Sequence, residues 1–528
     1  MVAPSLALIP TGFKDGKLYS VLPESGVGDF DVVRGSGATR VNKDGLIVDV
    51  RMVTGLELIT NGGFDVDSNW TKTSAVIENG KAILDIVNGG GSSVLQSSVM
   101  TQNKTYKITF DAILLSGNGS LALSRGGNNN VTNSLSISQS GTFSQVLKWV
   151  DADNVFGIKR IGGGDFSWSI DNVSVKEVTN DTNIPRLDYT GGGCPSLLLE
   201  PQSTNLITYS EDFSDVAWNK GRSTITSNQI TAPDNTLTAD KWQITSDVGA
   251  HYIRVGATRT GDFTNSIYVK KGNYRYIGLA NSGSIFAFDF DTETIIKNTI
   301  SGGVDKLGNG WYRIFTTNTW ASFNYSGLYY SDASGNELPT ANGDEFYYIW
   351  GAQLEELPYS TSYIPTSGAI ATRLADSVTG AGDATTFNDS EGVLYAEIAA
   401  LSDDLTFRLI SLSDGTNNNT IKLGYRSDSN AIYFEVKSNG AGQAFYVHTI
   451  TDITTFSKVA VKYEDNDFAL WVNGVEVTTD VSGITPIGLN QVSFNRGDAA
   501  QLFTGKVKDL RVYNTALTDA ELMELTTI

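Results

Sequence analysis

The chain has 528 residues, 40% hydrophobic and 10% aromatic, with 54 glycines, a formal net charge of −20 and a single cysteine. That length exceeds what one hydrophobic core organises, so several domains of about 100–200 residues each are expected, and the apolar fraction excludes wholesale disorder. The acidic balance, without clustered Lys and Arg, argues against nucleic acid as a partner, and the lone Cys194 excludes an intrachain disulfide framework or a four-cysteine zinc site.

From the start, residues 1–10 are apolar in flavour but lack a basic leader segment and are interrupted at Pro10, so a signal peptide is not expected. No stretch approaches the roughly 18 apolar residues of a membrane span. Folding in a reducing cytoplasm, without membrane insertion, is the expectation. Further along, runs such as 106–110, 432–436 and 459–463 are rich in β-branched and aromatic residues, the signature of strands. Asn-Gly pairs such as Asn79-Gly80, Asn309-Gly310 and Asn473-Gly474 predict tight hairpins. Helical periodicity is nearly absent until the C-terminus, where Thr518 precedes an apolar-periodic run with Glu521 three residues on, a capping box. The fold class is all-β: tandem β-sandwich (jelly-roll) modules with minimal helix.

An internal repeat sets the organisation. Leu58-Ile59-Thr60 is followed by Phe64, Trp70 and Lys72, and Leu206-Ile207-Thr208 by Phe213, Trp218 and Lys220. Each start is followed by a mid-module strand, 106–115 and 266–270, and each module closes on an aromatic strand, 166–175 and 346–354. The pair reads as two copies of one sandwich. A third module runs from about 388 to the end, with the Asn473-Gly474 hairpin and a closing strand over 502–514; its alternation suits two sheets packed face to face.

These residues carry resemblances. With the Trp471-Val-Asn-Gly474 hairpin, the strand after Phe503 and the Ala516-Leu-Thr-Asp-Ala-Glu-Leu522 ending, residues 388–528 resemble a concanavalin A-like (laminin-G type) domain. Residues 56–178, opening on Asn61-Gly-Gly-Phe64 and ending on Ile170-Asp-Asn-Val-Ser-Val175, resemble a carbohydrate-binding-module jelly roll. Residues 203–366 are similar to a divergent relative in phage tail and fibre proteins, through Asn205-Leu-Ile-Thr-Tyr-Ser-Glu-Asp-Phe213, Val269-Lys-Lys-Gly272, Gly310-Trp-Tyr-Arg313 and Tyr348-Ile-Trp-Gly-Ala-Gln-Leu-Glu-Glu356. In that phage family a segment like 38–47 leads almost directly into one like 184–201, whereas here more than a hundred residues intervene. The first sandwich therefore reads as an insertion, with 30–50 and 183–207 forming one unit in space. The resulting domains are 1–55, an N-terminal virion-anchoring region; 56–178, the inserted jelly roll; 179–202, continuing the N-terminal unit; 203–366, the second jelly roll; 367–387, a linker; and 388–528, the concanavalin A-like domain.

The chemistry is sparse. His251 and His448 are the only histidines and fall in different modules, so a Ser-His-Asp triad would have to be assembled across domains. The adjacent carboxylates Glu355-Glu356, Asp403-Asp404 and Glu211-Asp212 are expected in turns or at strand ends, as solvated positions, although a glycosidase pair is assembled only in the folded chain. Aromatic rings are the better binding chemistry, because the C–H face of a sugar stacks on them. Trp70 and Trp218 recur at one place in the repeat, which favours packing; both remain ligand-contact candidates, beside Tyr325, Tyr329 and Tyr330 of the run 324–330. No cofactor is implied by a motif, but Asp465 and Asp467, in the acidic run 464–467, offer oxygen ligands of the hardness calcium prefers.

The leading expectation is a non-catalytic virion structural protein of a tailed bacteriophage, made in the host cytoplasm, that displays glycan-binding sandwiches for attachment to the host surface. Its partners would be other virion proteins, host surface glycans and further copies of itself, fibre proteins of this kind often being trimers. The alternatives are a purely architectural spacer or capsid decoration and, from a third class, a glycan depolymerase.

Overall fold

A computed structural model describes all residues except 1, 15, 51, 87–90, 126–128, 131–135, 163–164, 181, 282–283, 300, 322 and 338–339. Strands account for 52% of the residues and helix for 2%, and the chain is a series of antiparallel β-sandwiches. It separates into two compact units: Met1–Val50 with Asp181–Ile225 and Trp242–Ile528, and Arg51–Asn180 with Thr226–Lys241.

In the second of these units, one sheet runs in the order Gly141–Lys148, Thr105–Ser116, Phe166–Asn180, Lys81–Ile86, Ala75–Glu78, and the other Asn129–Asn130, Ser120–Arg125, Phe156–Ile161, Ser93–Gln96, Thr71–Thr73. Strand alternation builds the core: Tyr106, Ile108, Phe110 and Ala112 are buried and the residues between them are not, since successive side chains leave opposite faces of a strand. Trp149 and Trp168 fill the space between the sheets.

The second sandwich repeats this design strand for strand. Trp311–Trp320, Gly261–Lys271, Phe346–Glu355, Ala239–Ile244 and Ser223–Ile230 follow one another in its first sheet, with Ser301–Lys306 added at the edge. The opposing sheet runs Ser284–Asp289, Tyr276–Asn281, Phe323–Tyr330, Tyr252–Thr258, Asn219–Gly221, with Thr294–Asn298 added at its edge. The short sequence repeat thus marks a repeat of whole topology.

The C-terminal sandwich packs a five-stranded sheet, Ala441–Thr449 to Gln491–Ser493, on an eight-stranded one. Asn473 and Gly474 both have positive φ, 50° and 83°, the backbone that a two-residue hairpin turn requires. The helix Asp519–Thr526 carries the capping box of Thr518 and Glu521.

Two segments differ from the sequence reading. The regions read as 1–55 and 179–202 are not a structurally separate unit: Leu6–Leu8 and Ser196–Leu199 both pair with the closing strand Gly505–Tyr513, Leu6 opposite Val512 and Leu197 opposite Val507. Leu6 and Leu8 are completely buried in the C-terminal core, so the apolar start is drawn in by burial of its own side chains. Nor is 367–387 a linker. It supplies Ala371–Arg373, paired with Ser203–Asn205, and Ser377–Thr379, paired with Phe30–Val33. Between those strands Asp376 is buried against Arg34, at 3.0 Å, and against Arg186; Glu200 receives Arg186 and also Arg373 at 2.9 Å. Such charges tolerate burial only when paired.

The segments flanking the inserted sandwich meet. Arg34 N donates to Asn183 Oδ1 at 3.0 Å, Val41 N to Asp188 Oδ1 at 3.1 Å, and Tyr189 N to Val41 O at 3.0 Å.

Candidate functional site

In the second sandwich, one face of the sheet containing Tyr252–Thr258 and Phe323–Tyr330 is core: Ile253, Ile277, Leu279, Phe286 and Leu328 are fully buried. Period-two alternation sends their neighbours to the opposite face. There, Arg254 lies opposite Gly327, Gly327 opposite Ala280, and Ala280 opposite Ile285. This row starts with a long cation and continues through Gly327 and Ala280, with little or no side chain, to Ile285, leaving a hollow of about 200 Å³.

Tyr252 and Tyr325 stand beside the row as walls. The Arg254 guanidinium carbon is 3.9 Å from the Tyr252 ring centre and 4.5 Å from that of Tyr325, a cation–π arrangement that fixes all three side chains. Arg254 has no carboxylate partner among the described residues, so its N–H groups remain available as donors. Glu337 lines the same hollow with an exposed carboxylate, an acceptor. Two glycines are required by close approach. A Cβ on Gly327 would lie 2.1 Å from Ile253 O, and one on Gly221 would lie 2.4 Å from the Tyr252 ring.

The aromatic candidates divide. Tyr325 is a half-buried wall of the hollow. Tyr329 lines its floor but is 4% exposed, with its hydroxyl donating to Phe286 O and Gly335 O at 3.1 Å each. Burial, reinforced by the charges of Glu337 and Asp332, pushes its phenol well up. Tyr330 projects to the other face, 2% exposed, with its hydroxyl 3.3 Å from Glu345 Oε1; it is core, not a ligand contact.

Trp70 and Trp218 are likewise corrected to packing residues. Trp70 Nε1 donates to Asn61 O and Trp218 Nε1 to Tyr209 O, both at 2.9 Å and both nine residues upstream. Each ring packs on its repeat-mate phenylalanine, Phe64 at 5.0 Å and Phe213 at 4.7 Å between centroids. With their N–H groups satisfied and only 7% and 3% exposed, the two indoles act as packing groups.

The structure gives Asp465 and Asp467 separate protein partners. Asp465 Oδ1 accepts from Thr485 N and Oγ1 at 2.7 and 3.1 Å, and Asp467 Oδ2 pairs with Lys462 Nζ at 2.5 Å. Among the described residues no group of three or more His, Cys, Asp or Glu is placed to hold a metal ion. Of the adjacent carboxylates only Glu355, at the end of its strand, is fully buried rather than solvated, accepting from Ser203 Oγ at 2.7 Å and Thr361 N at 3.0 Å, while Glu356 and Asp212 are exposed outside the strands. His251 is buried with its ring edge to Tyr330.

Sequence reasoning missed Tyr252, Arg254 and Glu337. The alternation Tyr252-Ile253-Arg254-Val255 was the available signal for the first two; nothing local marks Glu337, which reaches the hollow from a loop.

Parts of the chain are similar to domains of known structure, carbohydrate-binding modules among them. One is a CBM40 of the Ruminococcus gnavus IT-sialidase bound to α2,3 sialyllactose, at 20% identity over 28% of this chain and 86% of that one, TM-score 0.24. Another is domain 4 of AbnA, a GH43 extracellular arabinanase from Geobacillus stearothermophilus, in complex with arabinotriose, at 16% identity over 32% and 82%, TM-score 0.24. A third is the tandem CBM22 domain from Paenibacillus barcinonensis, at 11% identity over 57% and 98%, TM-score 0.20. No curated protein matches the chain. Residues 379–523 match the family model of the Concanavalin A-like lectin/glucanases superfamily, which identifies the C-terminal sandwich as a concanavalin A-like domain.

Proposed function

We propose that the protein is a non-catalytic, glycan-binding structural component of a tailed-bacteriophage virion, and that the hollow of the second sandwich is its sugar site. The observation that carries the glycan reading is the Tyr252–Arg254–Tyr325 cluster beside a floor of small residues. A pyranose lays its C–H face on a tyrosine ring, takes hydrogen bonds from Arg254 and gives one to Glu337. The lectin-type match of residues 379–523 supports the same class of ligand.

The virion assignment is supported by the phage-type phrases within residues 203–366. A shallow site of this size binds weakly, and repeated copies on a particle, in a trimer for instance, would raise avidity without new contacts. Neither cofactor nor nucleic acid is part of this reading.

The test is a glycan array probed with the full chain and with its Tyr325→Ala variant. The expected result is a defined set of host-type glycans bound by the first and lost by the second. Silence of the unmodified chain would return the sandwiches to pure architecture, and release of reducing ends from a bound polysaccharide would make the protein an enzyme.

A further inference from the structure

A larger cavity of about 830 Å³ lies within the unit that contains the second and C-terminal sandwiches. Its walls come from the hairpin of Thr39–Val41 and Ile47–Asp49, from the second sandwich at Asp305 and Arg313, and from the C-terminal sandwich at Leu401 and Lys506. It shares no residue with the hollow described above, and its volume falls in the range of small-molecule sites.

Polar groups in its walls are left over after internal bonding. Arg313 is 7% exposed; its Nη2 donates to Ser266 Oγ at 2.8 Å, but its buried Nε has no partner. Arg40 donates through Nη1 to Leu187 O, and its buried Nε is also unpartnered. The Asp305 carboxylate has no hydrogen-bond donor among the described residues; burial pushes it up, and the Arg313 charge draws it back only in part. Buried polar atoms in native proteins are satisfied as a rule; the two Nε atoms are closed to solvent, and the polar group left open in the cavity wall is the Asp305 carboxylate, an acceptor for a ligand hydroxyl.

The charges around the cavity are nearly balanced. Lys506 Nζ sits 3.4 Å from Asp188 Oδ2, Glu200 is neutralised by Arg186 and Arg373, and Asp305 faces Arg313. The lining carries five cations, Arg40, Lys43, Lys306, Arg313 and Lys506, against four carboxylates, Asp44, Asp188, Glu200 and Asp305, so no large excess of either sign selects a charged ligand. Aromatic side chains, Tyr189, Tyr268 and Phe456 among them, supply apolar planes between the polar groups. Donors, acceptors and aromatic planes near charge balance match a polyhydroxylated ring system.

From this we infer that the cavity is a second ligand site, taking an uncharged oligosaccharide that fills the space between Arg40, Arg313 and Asp305. The inference stands on residues independent of the hollow and goes beyond it: one chain would hold two sugar sites of different depth.

Calorimetric titration of the full chain with maltotriose, cellotriose, xylotriose and mannotriose tests it. At least one trisaccharide is expected to bind to the Tyr252→Ala/Tyr325→Ala double variant, and to lose about ten-fold in affinity on Asp305→Asn, the effect of one charged hydrogen bond. Leu401→Trp fills the cavity without altering a charge and should abolish the same binding; thermal scans confirm that each variant is folded. Three results would overturn the cavity site: no trisaccharide bound by the unmodified chain, all binding lost in the tyrosine double variant, or binding indifferent to both Asp305→Asn and Leu401→Trp. Binding lost in Leu401→Trp and untouched in the tyrosine variant would leave the cavity standing and remove these sugars from the hollow.

Discussion

The guanidinium carbon of Arg254 lies 3.9 Å from the ring centre of Tyr252, on the face of the second sandwich opposite its core. Two residues apart on one strand, the side chains leave the same face, and the absence of a side chain at Gly327 lets Arg254 lie along the sheet. The stacked pair is held in place before any ligand arrives, so little side-chain entropy is lost on binding.

Gly221→Ala tests that preorganisation. The added Cβ would lie 2.4 Å from the Tyr252 ring, and the ring, as the end of a side chain, can swing away. Glycan affinity should fall by roughly five- to thirty-fold, the loss of one stacking surface worth about 1–2 kcal/mol, while the thermal midpoint stays nearly unchanged. Titration and a thermal scan of one variant check both.

Trp70→Phe and Trp218→Phe should behave alike. Each keeps a ring against Phe64 or Phe213 and loses one indole hydrogen bond to a carbonyl nine residues upstream, a cost of about 1 kcal/mol. Denaturant unfolding should register that cost, and glycan binding should remain as before. The alanine variants should cost about 3–5 kcal/mol by leaving a cavity.

Asp376→Ala leaves the buried Arg34 without a carboxylate and Arg186 with only Glu200, which Arg373 already shares. Removing one member of a buried ionic cluster costs about 3–5 kcal/mol, measurable as a drop in unfolding midpoint. The cluster also sets an acid limit. Burial would raise Glu200, but Arg186 and Arg373 overcome it and hold its carboxyl well below the ordinary value of 4.5. With the folded-state pKa depressed, the contribution of Glu200 is fully present above 4.5 and is lost as the pH falls from there towards the folded value. A pH series of unfolding midpoints should show the decline below 4.5, and Glu200→Gln should flatten it.

Leu8→Ala should destabilise the C-terminal sandwich, although more than 370 residues separate it from residue 388. Leu8 is fully buried there and pairs with Leu510; truncation costs about 2–5 kcal/mol. Hydrogen exchange should report faster opening in Gly505–Tyr513, whose edge the N-terminal strand covers.

What could be read in the sequence was local or repeated. Thr518 and Glu521 sit within one helical turn, Asn473-Gly474 within one hairpin, and the Phe-Trp-Lys phrase announced itself twice. Leu6–Leu8 could not be placed, because a three-residue strand has too little pattern to name a partner some five hundred residues away. The charged residues of 373–376 read as linker because polarity normally marks solvent; only the fold brings Arg34, Arg186 and Glu200 around them. Tyr325 was singled out and lies beside the hollow, and Arg254 was not singled out: alternation shows that two faces exist, but a strand alone does not tell which outward face is hollow.

The most direct test of the central claim is a calorimetric titration of the full chain with the strongest glycan from an array, repeated on Tyr252→Ala and Tyr325→Ala. The prediction is a loss of at least about five-fold in affinity in each variant, with folding intact by thermal scan. Unchanged affinity in both would contradict the account, because a sugar bound elsewhere has no reason to need the two rings that flank Arg254.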